Sequence, residues 1–262
     1  MSSTSKDQSL IAKHRRAFLL RKLHSLTGIV PVGGFMVYHL WTNAKALGGQ
    51  EPFDAAVREI NHMPYLPVFE VGLILAPLAF HALYGVKLAF EARHNVTKYS
   101  TSRNWAYTLQ RITGLLAFLF IGFHMYQYWW KKLIGRMAPE QFYPALCADM
   151  SSSVKGIPVI ALIYVLGIAA SVFHFANGLW GFCFSWGITI SRRAQQMAAW
   201  AFGIVGLAVF VLGANTVIYF ATGSSIQERL PWFEKPTGTR SCLDIREQSA
   251  KSQAAAPPLA TP

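Results

Sequence analysis

Charge is what this sequence has least of. Of 262 residues only 12 are Asp or Glu and 24 are Lys or Arg, so charged residues make up 14%, against about 25% in an average soluble domain. Cysteine is scarce as well. Cys147, Cys183 and Cys242 form no C-x-x-C pair and no zinc spacing, which leaves no cysteine set for an iron–sulfur cluster or a zinc ribbon. Cys183 lies in an apolar block and reads as a small packed residue. Cys147 and Cys242 fall in polar segments, and a disulfide between them depends on a distance that sequence does not give. No Rossmann fingerprint is present. The first twenty residues have no apolar core ahead of a small-residue cleavage site, so the first apolar block is read as a retained helix.

What is present is apolar and clustered. Hydrophobic residues are 53% of the chain and mean hydropathy is +0.30. Apolar blocks cover about 23–44, 67–90, 105–130, 157–187 and 197–221, each at or above the ~20 residues a helix needs to cross a bilayer. Helix is the expected state, because a spanning segment must satisfy its own backbone. The fold class expected is therefore an all-α membrane protein of five transmembrane helices. A basic segment, 1–22, precedes the transmembrane domain 23–221, and a polar tail, 222–262, follows it. The end of that tail, KSQAAAPPLATP, has no period and reads as disordered. Pro31 and Pro77 lie inside spans and predict kinks.

The net charge of +12 would suggest nucleic acid in a soluble protein. Here the basic residues flank apolar spans and form no polar face of their own, so no nucleic acid is expected. Thirteen Lys and Arg fall on the side of the N-terminal segment and of the loops after spans two and four, six fall on the opposite loops, and five are in the tail. The positive-inside rule then puts the N-terminus in the cytoplasm and the C-terminus outside.

Eight histidines occur. His14, His62 and His94 sit in polar segments and read as surface residues. His39, His81, His124 and His174 stand one on each of the first four spans. An ionisable side chain inside a membrane needs a partner and marks a functional candidate. Interhelical hydrogen bonds or a proton relay are the alternatives. Four on four successive helices favour metal ligation, and imidazole is the nitrogen ligand haem iron accepts. Copper or zinc sites usually add cysteine, carboxylate or methionine, and no Asp or Glu lies within one helical turn of the four. His39 is six residues before Lys45 and His124 seven before Lys131, about 10 Å below the outer charges in both cases. His81 is six before Lys87, toward the cytoplasm. His174 is near mid-span, and its pairing with His81 rests on exclusion.

Small residues accompany these histidines: Gly28 and His24 line up below His39, Gly85 is one turn from His81, and Ser171, Gly178, Gly181 and Ser185 share the stripe of His174. They would admit a flat ligand, or simply pack helices closely. Arg21, Lys22, His24 and Arg111 lie near the inner surface, as partners for haem propionates or as snorkelling interfacial residues.

The stretches RKLHSLTGIVPVGGFMVYHL, FHALYGVKLAF, NWAYTLQRITG, FHMYQYW and FHFANGLWGF closely resemble the cytochrome b subunit of di-haem, single-anchor succinate dehydrogenases and fumarate reductases. The likeness covers about 17–221, with HFANGLW after a span-four histidine as its most specific element. It implies four helices bundled around two haem b groups. His81 and His174 would be the axial ligands of the haem nearer the cytoplasm, and His39 and His124 those of the haem nearer the outer face. It also implies a bacterial cytoplasmic membrane, a flavoprotein partner with covalent FAD, an iron–sulfur partner, and a quinone, often menaquinone, as substrate. Arg58 departs from the pattern, standing where relatives are associated with histidine. A cytochrome b anchor of a hydrogenase or formate dehydrogenase, and a proton-coupled transporter, are the competing readings.

Overall fold

The computed structural model describes residues 2–229, Cys242 and Asp244, with side chains from Gln8 to Glu228. The described residues are helical and contain no strand, only an isolated bridge between Val154 and Ile157. Helix α1 (residues 2–43) runs without a break through Ser2–Thr27, a π-helical stretch Gly28–Gly33, and Gly34–Asn43. It is followed by α2 (Gln50–Asn61), α3 (Leu66–Phe90), α4 (Ser102–Leu133), α5 (Phe142–Ser151), α6 (Val159–Ser185) and α7 (Arg192–Thr222).

Four of these, α3, α4, α6 and α7, are long and apolar enough to cross a membrane. Large apolar side chains stand exposed along them, such as Leu83, Leu119, Leu166 and Trp200, as a surface facing lipid would require. The first helix is long enough, but its apolar half is diluted by Gly28, Gly33, Gly34, His39 and Asn43.

The proline kinks expected inside spans take a definite form. Pro31 lies within the π-helical stretch Gly28–Gly33, and a second such stretch, Phe69–Leu75, ends two residues before Pro77. Proline lacks the N–H for an i→i−4 bond and its ring crowds the i−4 carbonyl, so a wider turn relieves both. A third π-helical stretch, Met125–Trp130, follows His124 directly and contains no proline.

The chain divides into two compact units. One comprises Met1–Val37, Pro67–Phe118 and Ser171–Gly206; the other comprises Tyr38–Leu66, Leu119–Ala170 and Leu207–Pro262. The first unit contains His24, His81 and His174. The second contains His39 and His124, and also the best-buried side chains: Tyr143, Tyr219, Met150 and Cys242 are all under 2% or at 2% exposed. There the polar segments between spans form helices of their own. Phe53 of α2 meets Tyr143 of α5 and Phe220 of α7 at ring separations of 5.6 and 6.1 Å, and the Tyr143 and Tyr219 hydroxyls are 3.1 Å apart. Arg58 lies on α2 and pairs with Glu51 at 2.7 Å.

Most of the tail 222–262 lies outside the described residues. The aperiodic end, 251–262, lies there too, whereas the part of the tail that is described makes defined contacts. The Ile226 N–H donates to Asn215 Oδ1 at 2.7 Å, and a short 3-10 turn spans Gln227–Arg229. Cys242 forms a disulfide with Cys147 of α5, their Cα atoms 5.5 Å apart.

Candidate functional site

In the first unit, α3 and α6 bring His81 and His174 together, ring centroids 6.0 Å apart and planes at 79°. In the second, α1 and α4 bring His39 and His124 to 5.6 Å and 68°. A metal between two imidazoles stands about 2 Å from each nitrogen, which sets the centroids roughly 6 Å apart. Both pairs match that spacing. Among the described residues no group of three or more His, Cys, Asp or Glu could hold a metal ion, so a metal here would need its remaining ligands from elsewhere, as a porphyrin provides.

Hydrogen bonds define the state of these rings. His81 Nδ1 is 2.9 Å from the His24 carbonyl oxygen, and His174 Nδ1 is 3.0 Å from that of Gln110. A carbonyl only accepts, so Nδ1 carries the proton in both, and the lone pair sits on Nε2. Gln110 holds His174 twice, because its side-chain Nε2 also donates to the His174 carbonyl at 3.0 Å. Asn177, one turn past His174, donates to Gln110 Oε1 at 2.7 Å and to the Ala106 carbonyl at 3.0 Å. In the second unit His124 Nδ1 is 3.1 Å from the Tyr164 hydroxyl, which itself donates to Gln127 Oε1 at 2.7 Å. The Asn43 side chain donates to the His39 carbonyl at 2.8 Å, and its Nδ2 lies 3.4 Å from His39 Nε2.

The small residues serve the rings themselves. A Cβ on Gly28 would clash with the His81 imidazole, so Gly28 of α1 faces α3 and not His39. A Cβ on Gly114 would come within 2.8 Å of His174, and one on Gly85 within 3.0 Å of His24. His24 stacks on His81 with centroids 4.1 Å apart and planes at 6°. Of the other small residues expected at a flat ligand, Gly178 faces Gln110, and a Cβ on Gly181 would meet nothing within 4 Å.

The four basic residues expected near the inner surface differ. His24 Nδ1 and Arg111 Nε are buried with no hydrogen-bond partner among the described residues. Arg111 lies over the Tyr107 ring at 3.3 Å and donates to the Tyr107 carbonyl at 2.6 Å. Lys22 donates to the Ser185 carbonyl and sits 4.9 Å from the Trp186 ring. Arg21 is exposed. Buried polar atoms of this kind call for a partner that the described residues do not supply.

Two pairs of intramembrane histidines, one of them with the proton fixed on Nδ1 of both rings, mark the candidate site of a membrane protein, and comparison with known proteins gives the family. Residues 92–214 match the family model "Succinate dehydrogenase/Fumarate reductase transmembrane subunit". The chain is 35% identical over 205 residues to the succinate dehydrogenase cytochrome b558 subunit of Bacillus subtilis, covering 78% of this chain and 98% of that one. This chain belongs to the family of succinate dehydrogenase/fumarate reductase membrane cytochrome b subunits. No solved structure matches.

Gln110, Asn177 and Gln127 lie within the quoted stretches without a role being read for them, and Tyr164 lies outside those stretches. Their signal was there, in polar side chains inside apolar blocks, which in lipid must find partners.

Proposed function

We propose that this chain is the di-haem anchor of a succinate:quinone oxidoreductase. It would cross a bacterial cytoplasmic membrane five times, with α1 as the fifth crossing, its N-terminus in the cytoplasm and its C-terminus outside. His81 and His174 bind the haem nearer the cytoplasm; His39 and His124 bind the one nearer the outer face. A haem b in each site would supply a one-electron Fe(III)/Fe(II) couple, linking an iron–sulfur subunit and its flavoprotein partner to a quinone, with menaquinone the type the family resemblance suggests. The observation that carries this reading is the pair of imidazole pairs, each at a spacing that fits a bridging metal.

This chain's own residues do the rest. Main-chain carbonyls of His24 and Gln110 hold the inner imidazoles in the Nδ1–H tautomer and fix their orientation. Gly28 and Gly114 leave the rings room between helices. His24 Nδ1 and Arg111 Nε are the donors best placed for propionates, whereas Lys22 already has a carbonyl and Arg21 faces out. The disulfide supports the orientation independently of charge, since such bonds persist in an oxidising compartment. No residue is assigned to the quinone.

The test is His39→Ala in the purified complex. About half the haem per flavin should remain, with succinate oxidation by a soluble dye kept and quinone reduction lost. Full haem occupancy would remove His39 as a ligand. Half the haem with normal quinone activity would place the quinone beside the inner site.

A further inference from the structure

The two sites differ in what receives the Nδ1 proton. At the inner site both acceptors are main-chain carbonyls, which side-chain substitution leaves in place. At His124 the acceptor is the Tyr164 hydroxyl, at 3.1 Å. That hydroxyl has a single proton, directed to Gln127 Oε1 at 2.7 Å, and its oxygen also meets the Tyr128 hydroxyl, whose own proton goes to Asp149 Oδ2 at 2.8 Å. The phenol oxygen therefore faces His124 as an acceptor and fixes the proton on Nδ1.

Tyr164 is built into this place. It is 5% exposed and its ring packs on Phe120 at 5.2 Å and on His124 at 5.7 Å. Phe120 in turn lies against the His124 ring at 6.2 Å and 27°. A Cβ at Gly167, one turn after Tyr164, would fall inside the Phe120 ring. The phenol thus has little freedom to turn away. Gln127 lies in the π-helical stretch Met125–Trp130 that opens immediately after His124.

We infer that Tyr164, oriented by Gln127, is a positioning residue that sets the reduction potential of the haem held by His124. This rests on the ligand assignment proposed above. An acceptor on Nδ1–H makes the imidazole a stronger donor through Nε2, which favours ferric iron. Donation of the phenol proton to Gln127 strengthens that effect by polarising the same oxygen. Removing either link weakens the ligand and favours ferrous iron, so the potential rises. Because the control lies in a side chain here and in the backbone at the inner site, the outer potential alone can be changed by single substitutions of this kind.

The experiment is a redox titration of the haem spectra in the assembled complex, with low-temperature electron paramagnetic resonance of the ferric state. Tyr164→Phe keeps the ring and removes the acceptor. Its expected result is an upward shift of one haem's midpoint and a change in that haem's g values, with the second haem unmoved and the haem-to-flavin ratio kept. Gln127→Leu leaves the phenol in place and should shift the same haem in the same direction by less. If Tyr164→Phe loses haem through packing, Gln127→Leu carries the test. Unchanged midpoints in the variants that keep haem, an equal shift of both haems, or haem loss from both variants would overturn the inference. His124→Ala is the control for the underlying assignment. Retention of all haem in that variant sinks the ligand reading itself, whereas haem loss there with unmoved midpoints in Tyr164→Phe sinks only the role of Tyr164.

Discussion

At the scale of single residues, Gly28 shows how little space surrounds His81, a proposed inner ligand. Its missing side chain is occupied by the His81 imidazole. Gly28→Ala should displace that ring at a cost of about 1–3 kcal/mol and lower haem per flavin toward half. Gly34 is the control, since a Cβ there meets nothing within 4 Å, and Gly34→Ala should keep both haems. Asp54 of α2 gives a second case. Burial pushes its carboxyl above the usual range, with only Gln50 donating to it at 3.0 Å and Oδ1 left unpartnered among the described residues. A raised folded pKa means that ionisation works against the fold: stability is greater at low pH and falls as pH rises through that pKa. Asp54→Asn should therefore raise the thermal midpoint of the complex at neutral pH, with the gain shrinking in acid. A midpoint equally shifted at both pH values would assign the effect to packing. The four span histidines are legible in sequence because an imidazole in lipid demands an explanation. Gln110 and Tyr164 are not, because a single Gln or Tyr in a span has many partners and only distance selects one.

At the scale of elements, the apolar blocks mark α3, α4, α6 and α7 well, since hydrophobic length is a direct physical requirement of a bilayer. The widened turns are harder to read. Pro31 and Pro77 announce a break without saying that it becomes a π-helical stretch, and Met125–Trp130 has no proline to announce it. Helices α2 and α5 fall in segments that the sequence marks only as loops between apolar blocks. Their stability comes from tertiary contacts such as Phe53 on Tyr143. The connection between α3 and α4 holds Arg93, Lys98 and Arg103. Arg103 is not free for a partner: it donates to Gln195 at 2.7 Å and lies over the Phe184 ring at 5.5 Å. Reversal of Arg93 and Lys98 alone therefore tests whether the proposed cytoplasmic face docks the soluble subunits. Co-purification of the flavoprotein should fall in Arg93→Glu/Lys98→Glu, more steeply at high salt, with haem content kept. Normal co-purification at all salt concentrations would place docking elsewhere.

At the scale of the whole molecule, the end of the tail carries no pattern, while Cys242 ties an earlier part of it to Cys147. Ala- and Pro-rich sequence has no period from which to read a contact, and a disulfide across 95 residues leaves no local trace. Deleting 230–262 or making Cys147→Ser should lower the temperature at which the complex loses haem, by a similar amount in each, while leaving the haem-to-flavin ratio of fresh preparations unchanged. Native disulfides of small domains contribute about 2–5 kcal/mol, and less is expected here, because inserted helices already restrict the unfolded chain. An unshifted melting profile in both variants would show that the bond stabilises nothing.

That same bond orders events in time. Cys147 leaves the translocation machinery before α6 and α7, and Cys242 only after both. In the proposed orientation the two thiols share the outer compartment when α6 and α7 have both crossed, and not when α6 alone has. A chain whose final helix fails to insert strands Cys242 on the reducing side and cannot close the link. The oxidised form is therefore a chemical receipt for completed insertion, available to be counted by a thiol-alkylating mass tag on newly made protein.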